Sequence, residues 1–135
     1  MDMDTALAIS AHGMSAQTER LRVIAQNLAN QDTTGGSPGA PPYRRKTVTF
    51  HESMDRSLGA PTVSVARVGT DPSAFPTRYD PSNPAADPRG YVQTPNVNSF
   101  VEVMDMRAAQ RSYDANLAVM QTTRSMLSRT IDLLK

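Results

Sequence analysis

The chain of 135 residues contains no cysteine and no tryptophan. Without cysteine there is no disulfide framework, no zinc–thiolate site and no thiol nucleophile, and the redox compartment cannot be read. No apolar run approaches the ~18 residues that a membrane-spanning helix needs. The opening residues, Met1-Asp2-Met3-Asp4, are acidic where a secretory signal is basic, and no continuous apolar stretch follows. The expectation is a cytosolic chain, or one exported by a route that needs no cleaved signal. An excess of one charge is missing too, with 14 basic against 13 acidic residues and a net charge of +1. That balance gives no bulk reason to expect nucleic acid or an anionic membrane as partner. Core-forming residues are also few. Leu, Ile, Val and Phe together make up 24 of 135 residues, or 18%, under the roughly 20% at which chains often fail to build a core. Self-repulsion, the other half of the disorder signature, is absent. Such a chain is ordered when neighbours supply apolar surface. Its length allows one domain.

Helix breakers are unevenly placed. All ten prolines and six of the seven glycines lie between residues 31 and 98. This divides the chain into an amino-terminal helix in 1–32, an extended middle segment in 33–98, and a carboxy-terminal helix in 99–135. In the first helix Leu7, Met14, Leu21 and Leu28 recur every seven residues, with Ala11, Ile24 and Ala25 between them. This is a narrow seam of the kind that packs on another helix. The run Asn30-Gln31-Asp32-Thr33-Thr34-Gly35-Gly36 is its stop signal. In the last part Ser99-Phe100-Val101-Glu102 fits a capping box. Met106, Tyr113, Met120, Leu127 and Leu134 again step by seven, and Val103, Leu117 and Ile131 widen the seam. The fold class expected is mainly α, with the two terminal helices paired as a coiled coil. In the Pro/Gly-rich middle, residues 43–51 and 62–68 alternate like strands of a small β-hairpin. Residues 79–97 read as extended, with a turn at Pro88-Arg89-Gly90.

Candidates for chemistry are sparse. His12 falls on the first helix and His51 in a strand, and neither belongs to a ligand-like spacing, so no metal or cofactor is expected. Gly35-Gly36-Ser37-Pro38-Gly39 follows a helix and lacks the Gly-Lys-Ser/Thr ending of a phosphate loop. No nucleophile elbow is present, so an enzyme is disfavoured. The one basic cluster, Tyr43-Arg44-Arg45-Lys46, is too thin for nucleic acid. It reads as a solvated or subunit-bridging patch.

Two sets of motifs carry a family resemblance. Residues 21–30, Leu-Arg-Val-Ile-Ala-Gln-Asn-Leu-Ala-Asn, followed by Thr33-Thr34-Gly35, resemble the amino-terminal signature of flagellar rod and hook proteins. The later stretch resembles the proximal-rod branch of that family. It comprises Tyr43-Arg44-Arg45-Lys46, residues 79–87, Gly90-Tyr91-Val92 and Pro95-Asn96-Val97-Asn98, then Glu102, Met104-Asp105-Met106, Arg111-Ser112-Tyr113, Ala115-Asn116 and Ser125-Met126. Asn83 stands where the branch carries a histidine, and 37–42 is longer than usual.

The resemblance implies a structural subunit of the flagellar rod, a drive shaft that crosses the periplasm, transmits torque and encloses the export channel. It implies export without a cleaved signal peptide. The partners it implies are other rod proteins of the FlgB, FlgF and FlgG type, FliE near the MS ring, and further copies of the chain. Subunit contacts from the middle segment are expected at Tyr43, Arg44, Arg45, Lys46, Tyr79, Pro81, Tyr91, Pro95 and Asn96. The alternative reading is a stand-alone coiled-coil module, a chaperone or regulator.

Overall fold

The structure, a computed structural model, describes residues 2–133. The last heptad position expected in the seam, Leu134, lies outside the described residues. The chain runs α1 (Met3–Ala29), β1 (Lys46–Asp55), β2 (Ala60–Thr70), β3 (Thr77–Tyr79), β4 (Tyr91–Gln93) and α2 (Ser99–Asp132). Long helices therefore stand at both ends, as the seven-residue periodicity predicts. The two alternating stretches form a two-stranded sheet of β1 and β2. Their four-residue connection ends at Gly59, whose φ of +61° suits a residue without a side chain.

The stretch read as extended is more ordered than expected. β3 and β4 pair antiparallel, with Arg78 opposite Val92 and Tyr79 opposite Tyr91. Strands of three residues carry too little alternation to be seen in sequence. The expected turn is present, with the Gly90 N–H donating to the Asp87 carbonyl at 2.9 Å. Gly90 has a φ of +84°, and a Cβ there would stand 2.8 Å from Cε2 of Tyr79. Glycine is thus needed both for the backbone and for the ring beside it.

The start of α2 corrects the capping-box expectation. Asn98, one residue earlier, is the cap: its Oδ1 accepts from the N–H groups of Phe100 (3.0 Å) and Val101 (3.3 Å). Glu102 does not reach back to the backbone; its side chain is fully buried.

The described residues fall into two compact units. One holds residues 2–21, 48–67 and 106–133, and the other holds 22–47 and 68–105. Each draws on both helices and on the middle segment. The buried apolar side chains are few and mostly small: Ala16, Ala60 and Ala109 in the first unit, Val23, Ile24, Ala85 and Val92 in the second.

Candidate subunit interface

In the first unit α1 and α2 meet at Gly13 and Asn116. Ser10, Gly13 and Ala16 of α1 are buried, as is Ala109 of α2. A Cβ on Gly13 would lie 2.9 Å from Nδ2 of Asn116, so the missing side chain is what lets the helices approach. The amide of Asn116 donates in turn to the Ser112 carbonyl at 2.9 Å. The large apolar residues that define the seven-residue periodicity occupy the flanks. Leu7, Met14 and Leu21 are half-buried, and so are Met106, Tyr113, Leu117, Met120 and Leu127. Ile131 is 49% exposed. The most buried positions therefore lie beside the leucine row, and the leucines keep a part of their surface uncovered.

The second unit is organised around a buried amide. Asn27, 1% exposed, makes four hydrogen bonds. Its Nδ2 donates to the Lys46 carbonyl (2.9 Å) and to Oε2 of Glu102 (3.1 Å). Its Oδ1 accepts from the Tyr43 hydroxyl (2.9 Å) and from the Lys46 N–H (2.9 Å). The Asn27 amide thus treats the first residue of β1 as a neighbouring strand would, while its other donor reaches α2. Arg45 completes the junction. Its Nε donates to Oε1 of Glu102 at 2.5 Å, and its Nη atoms stand 3.6 Å from Asp71 and 3.6 Å from Asp105. Burial pulls the Arg45 guanidinium down, but the hydrogen bond and charge of Glu102, with Asp71 and Asp105, outweigh it and raise its pKa. Burial, then the Glu102 charge, pushes the Tyr43 phenol up, so it stays a neutral donor to Asn27.

Of the two expected readings of 44–46, these contacts argue against a freely solvated patch. Arg44 donates from Nη1 to the carbonyls of Asp71 (2.8 Å) and Ser73 (2.9 Å), and its guanidinium lies 4.0 Å over the Phe75 ring. Lys46 donates from Nζ to Gln26 at 3.2 Å. All three cations are half-buried, and each has an acceptor within the chain. Asn96 belongs to the same junction, accepting from the Arg45 N–H at 2.8 Å and donating to Oγ of Ser73 at 2.9 Å. Pro95 is buried, and Asn83, in the usual histidine position, donates to Oγ1 of Thr34 at 3.4 Å. Sequence reading missed the role of Asn27, although it lies in the quoted signature. A polar residue four positions after Val23 and three after Ile24, on the same helix face, is the available signal.

The other middle-segment candidates face outward. Tyr79 and Tyr91 are 64% and 48% exposed, with ring centroids 5.4 Å apart in an edge-to-face pair. Pro81 beside them is exposed. In the same unit Ile24 is buried and Leu28 half-buried, while Val103 is 39% exposed. The first turns of α2 are inverted: Glu102 is buried, while Phe100 (75%), Val101 (44%) and Met104 (51%) face out.

Long helices thus stand at both ends of the described residues, and a buried Asn27–Glu102–Arg45 junction ties them to the middle segment in the second unit. Residues 7–35 match the model of the flagella basal body rod protein family, and residues 89–133 match that of the flagellar basal body rod FlgEFG protein C-terminal region. The chain belongs to the FlgC family of flagellar basal-body rod proteins. It is 50% identical over 133 residues to the flagellar basal-body rod protein FlgC of Agrobacterium fabrum, covering 98% of this chain and 96% of that one. The FlgC protein of Salmonella typhimurium is 40% identical over 127 residues (93% and 92% covered). That of Bacillus subtilis is 36% identical over 142 residues (94% and 95% covered).

Proposed function

We propose that this chain is a structural subunit of the proximal rod, and that its core is completed by neighbouring subunits. The observation that carries this reading is the burial pattern of the helices. In the helical parts of the first unit the buried residues are Ser10, Gly13, Ala16 and Ala109, while Leu7, Met14, Leu21, Leu117 and Leu127 keep part of their surface uncovered. Such rows are stable in water only against further apolar surface. In the rod the helices 1–32 and 99–135 form a coiled-coil layer around the export channel, and the segment 33–98 makes contacts outside it.

A heterologous contact repeated by rotation and rise generates a helical tube. Long helices packed side by side resist bending and twisting, so torque passes along the shaft. The neighbours are rod proteins of the FlgB, FlgF and FlgG type, FliE at the MS ring, and copies of this chain. The chain reaches the periplasm through the flagellar channel without a cleaved signal peptide. A stand-alone coiled-coil module is disfavoured by the near-complete coverage of relatives named as rod proteins.

The test is Leu117→Asp or Leu127→Asp. Either change sets an unpaired carboxylate in a packed contact, and we expect loss of rod assembly and of swimming while export of the chain persists. Normal swimming by both variants would remove the basis for the reading.

A further inference from the structure

The β3–β4 sheet lies within the second unit and has one packed face and one open face. Successive side chains of a strand point to opposite sides. Val92, 1% exposed, points to the packed face. The cross-strand partners Thr77 and Gln93, and Tyr79 and Tyr91, therefore share the open one. All four are exposed. The two rings are held in place by their edge-to-face contact and by the Gly90 backbone against Tyr79.

Beside Tyr91 the open face deepens into a cleft of about 270 Å3. Thr77, Asp87 and Gln93 give it polar walls, and Gly39, Ala40 and Ala85 give it small apolar ones. The loop that brings Gly39 and Ala40 there is closed on itself. The Tyr43 N–H donates to the Thr33 carbonyl and the Ala40 N–H to the Ser37 carbonyl, each at 3.0 Å, and a side chain on Gly35 would strike the Ala40 carbonyl. Oδ1 of Asp87 accepts from the N–H groups of Arg89 and Tyr91, each at 2.9 Å. Its Oδ2, the Thr77 hydroxyl and the Gln93 amide find no partner among the described residues. No lysine or arginine lines the cleft.

We infer that this face binds a chain of 2-acetamido pyranose sugars. A carboxylate with no cation in the cleft repels phosphate and carboxylate ligands. A volume below the ~300–1,000 Å3 of ordinary small-molecule sites takes one ring of a chain and leaves the next outside. A pyranose supplies what the lining is made to meet. Its hydroxyls donate to Asp87 and exchange hydrogen bonds with Thr77 and Gln93. Its C–H face, weakly positive, lies on the negative face of a tyrosine ring. The acetamido group pairs its N–H and C=O with the Gln93 amide and sets its methyl against the small walls. A proline-rich peptide also favours aromatic surfaces, but it brings no hydroxyls to Asp87. The inference concerns the free chain and stands apart from the rod reading.

The test is a titration of the nitrogen-labelled full chain with triacetylchitotriose, followed by amide shifts. Contacts between the Tyr79 and Tyr91 rings in the same spectra report that the sheet is formed. We expect saturable shifts confined to residues 39–40, 77–79 and 85–93. Cellotriose, which lacks the acetamido groups, is expected to bind about tenfold more weakly, the loss of one hydrogen-bonded contact. Tyr91→Ala and Gln93→Ala are each expected to weaken binding about tenfold, the second leaving both rings in place. Arg78→Ala, on the other face of the sheet, leaves binding unchanged. Glycan strands freed from bacterial cell wall are the second probe. Tighter binding than chitotriose supports the inference with the wall as the source of the sugar, and weaker binding supports it with a free oligosaccharide as the ligand. Four results overturn it: no saturable shifts, equal binding of chitotriose and cellotriose, binding of a proline-rich peptide in place of the sugar, or a sheet that does not form in the free chain.

Discussion

The Asn27 amide donates to the Glu102 carboxylate across 3.1 Å, joining the end of the first helix to the start of the last. The carboxylate is 0% exposed. A buried charge is tolerated only when its oxygens are satisfied. Here Asn27 serves Oε2 and Arg45 serves Oε1. The junction therefore ties three separated stretches of sequence into one arrangement, and none of the three can be released singly without stranding a polar group.

Asn27→Ala removes four hydrogen bonds at once and leaves the Lys46 backbone, the Tyr43 hydroxyl and one Glu102 oxygen unserved. Buried groups left unpaired cost about 1–3 kcal/mol each, with relaxation recovering part. We expect a loss of roughly 3 kcal/mol, read as a lowered denaturant midpoint. A change within about 0.5 kcal/mol would show that water replaces the amide at no cost.

The Arg45–Glu102 pair separates the value of the charges from the cost of stranding one. Arg45→Met leaves the carboxylate buried without its cation and is expected to destabilise by about 3 kcal/mol, since the arginine is itself partly exposed. Arg45→Met combined with Glu102→Leu removes both charges and is expected to cost less than Arg45→Met alone. A double variant as unstable as the sum of the single ones would contradict the account.

Gly13 tests the close approach of the two helices. In Gly13→Ala the new methyl meets only the end of the Asn116 side chain, which can turn aside. The gain in helix propensity, about 1 kcal/mol, offsets that adjustment, so stability stays within about 1 kcal/mol. Gly13→Leu has no such space and is expected to cost about 2 kcal/mol or more. Equal stability of the two variants, by chemical denaturation, would show that the helices can part there freely.

Sequence periodicity located the helices because it reports which faces are apolar over many turns. Both terminal helices and the β1–β2 sheet were legible in this way. Periodicity could not say which neighbour covers a face. Leu7, Met14 and Leu21 mark the first helix strongly, yet Ser10, Gly13 and Ala16 are its most buried residues in the first unit, and it is Gly13 that stands against Asn116 of the other helix. Small residues carry almost no hydropathy signal, and their role appears only when a second helix is set against them. Glu102 misled for a related reason. Its place three residues after Ser99 satisfies a local capping rule, but Arg45 and Asn27, distant in sequence, hold it elsewhere. The acceptors of Arg44 and Arg45, namely Asp71, Ser73 and Glu102, are equally distant in sequence, so the contacts of the basic run 44–46 within the chain carry no local signal. β3 and β4, with three residues each, were too short to announce themselves.

The most direct measurement of the central claim is the position of this chain in purified flagellar basal bodies, imaged by electron cryomicroscopy to side-chain detail. The account predicts the chain in the proximal rod, with both helices in the inner layer and the half-covered leucine rows buried against neighbouring subunits. Intact rods lacking this chain, with the protein recovered as a soluble dimer, would contradict it.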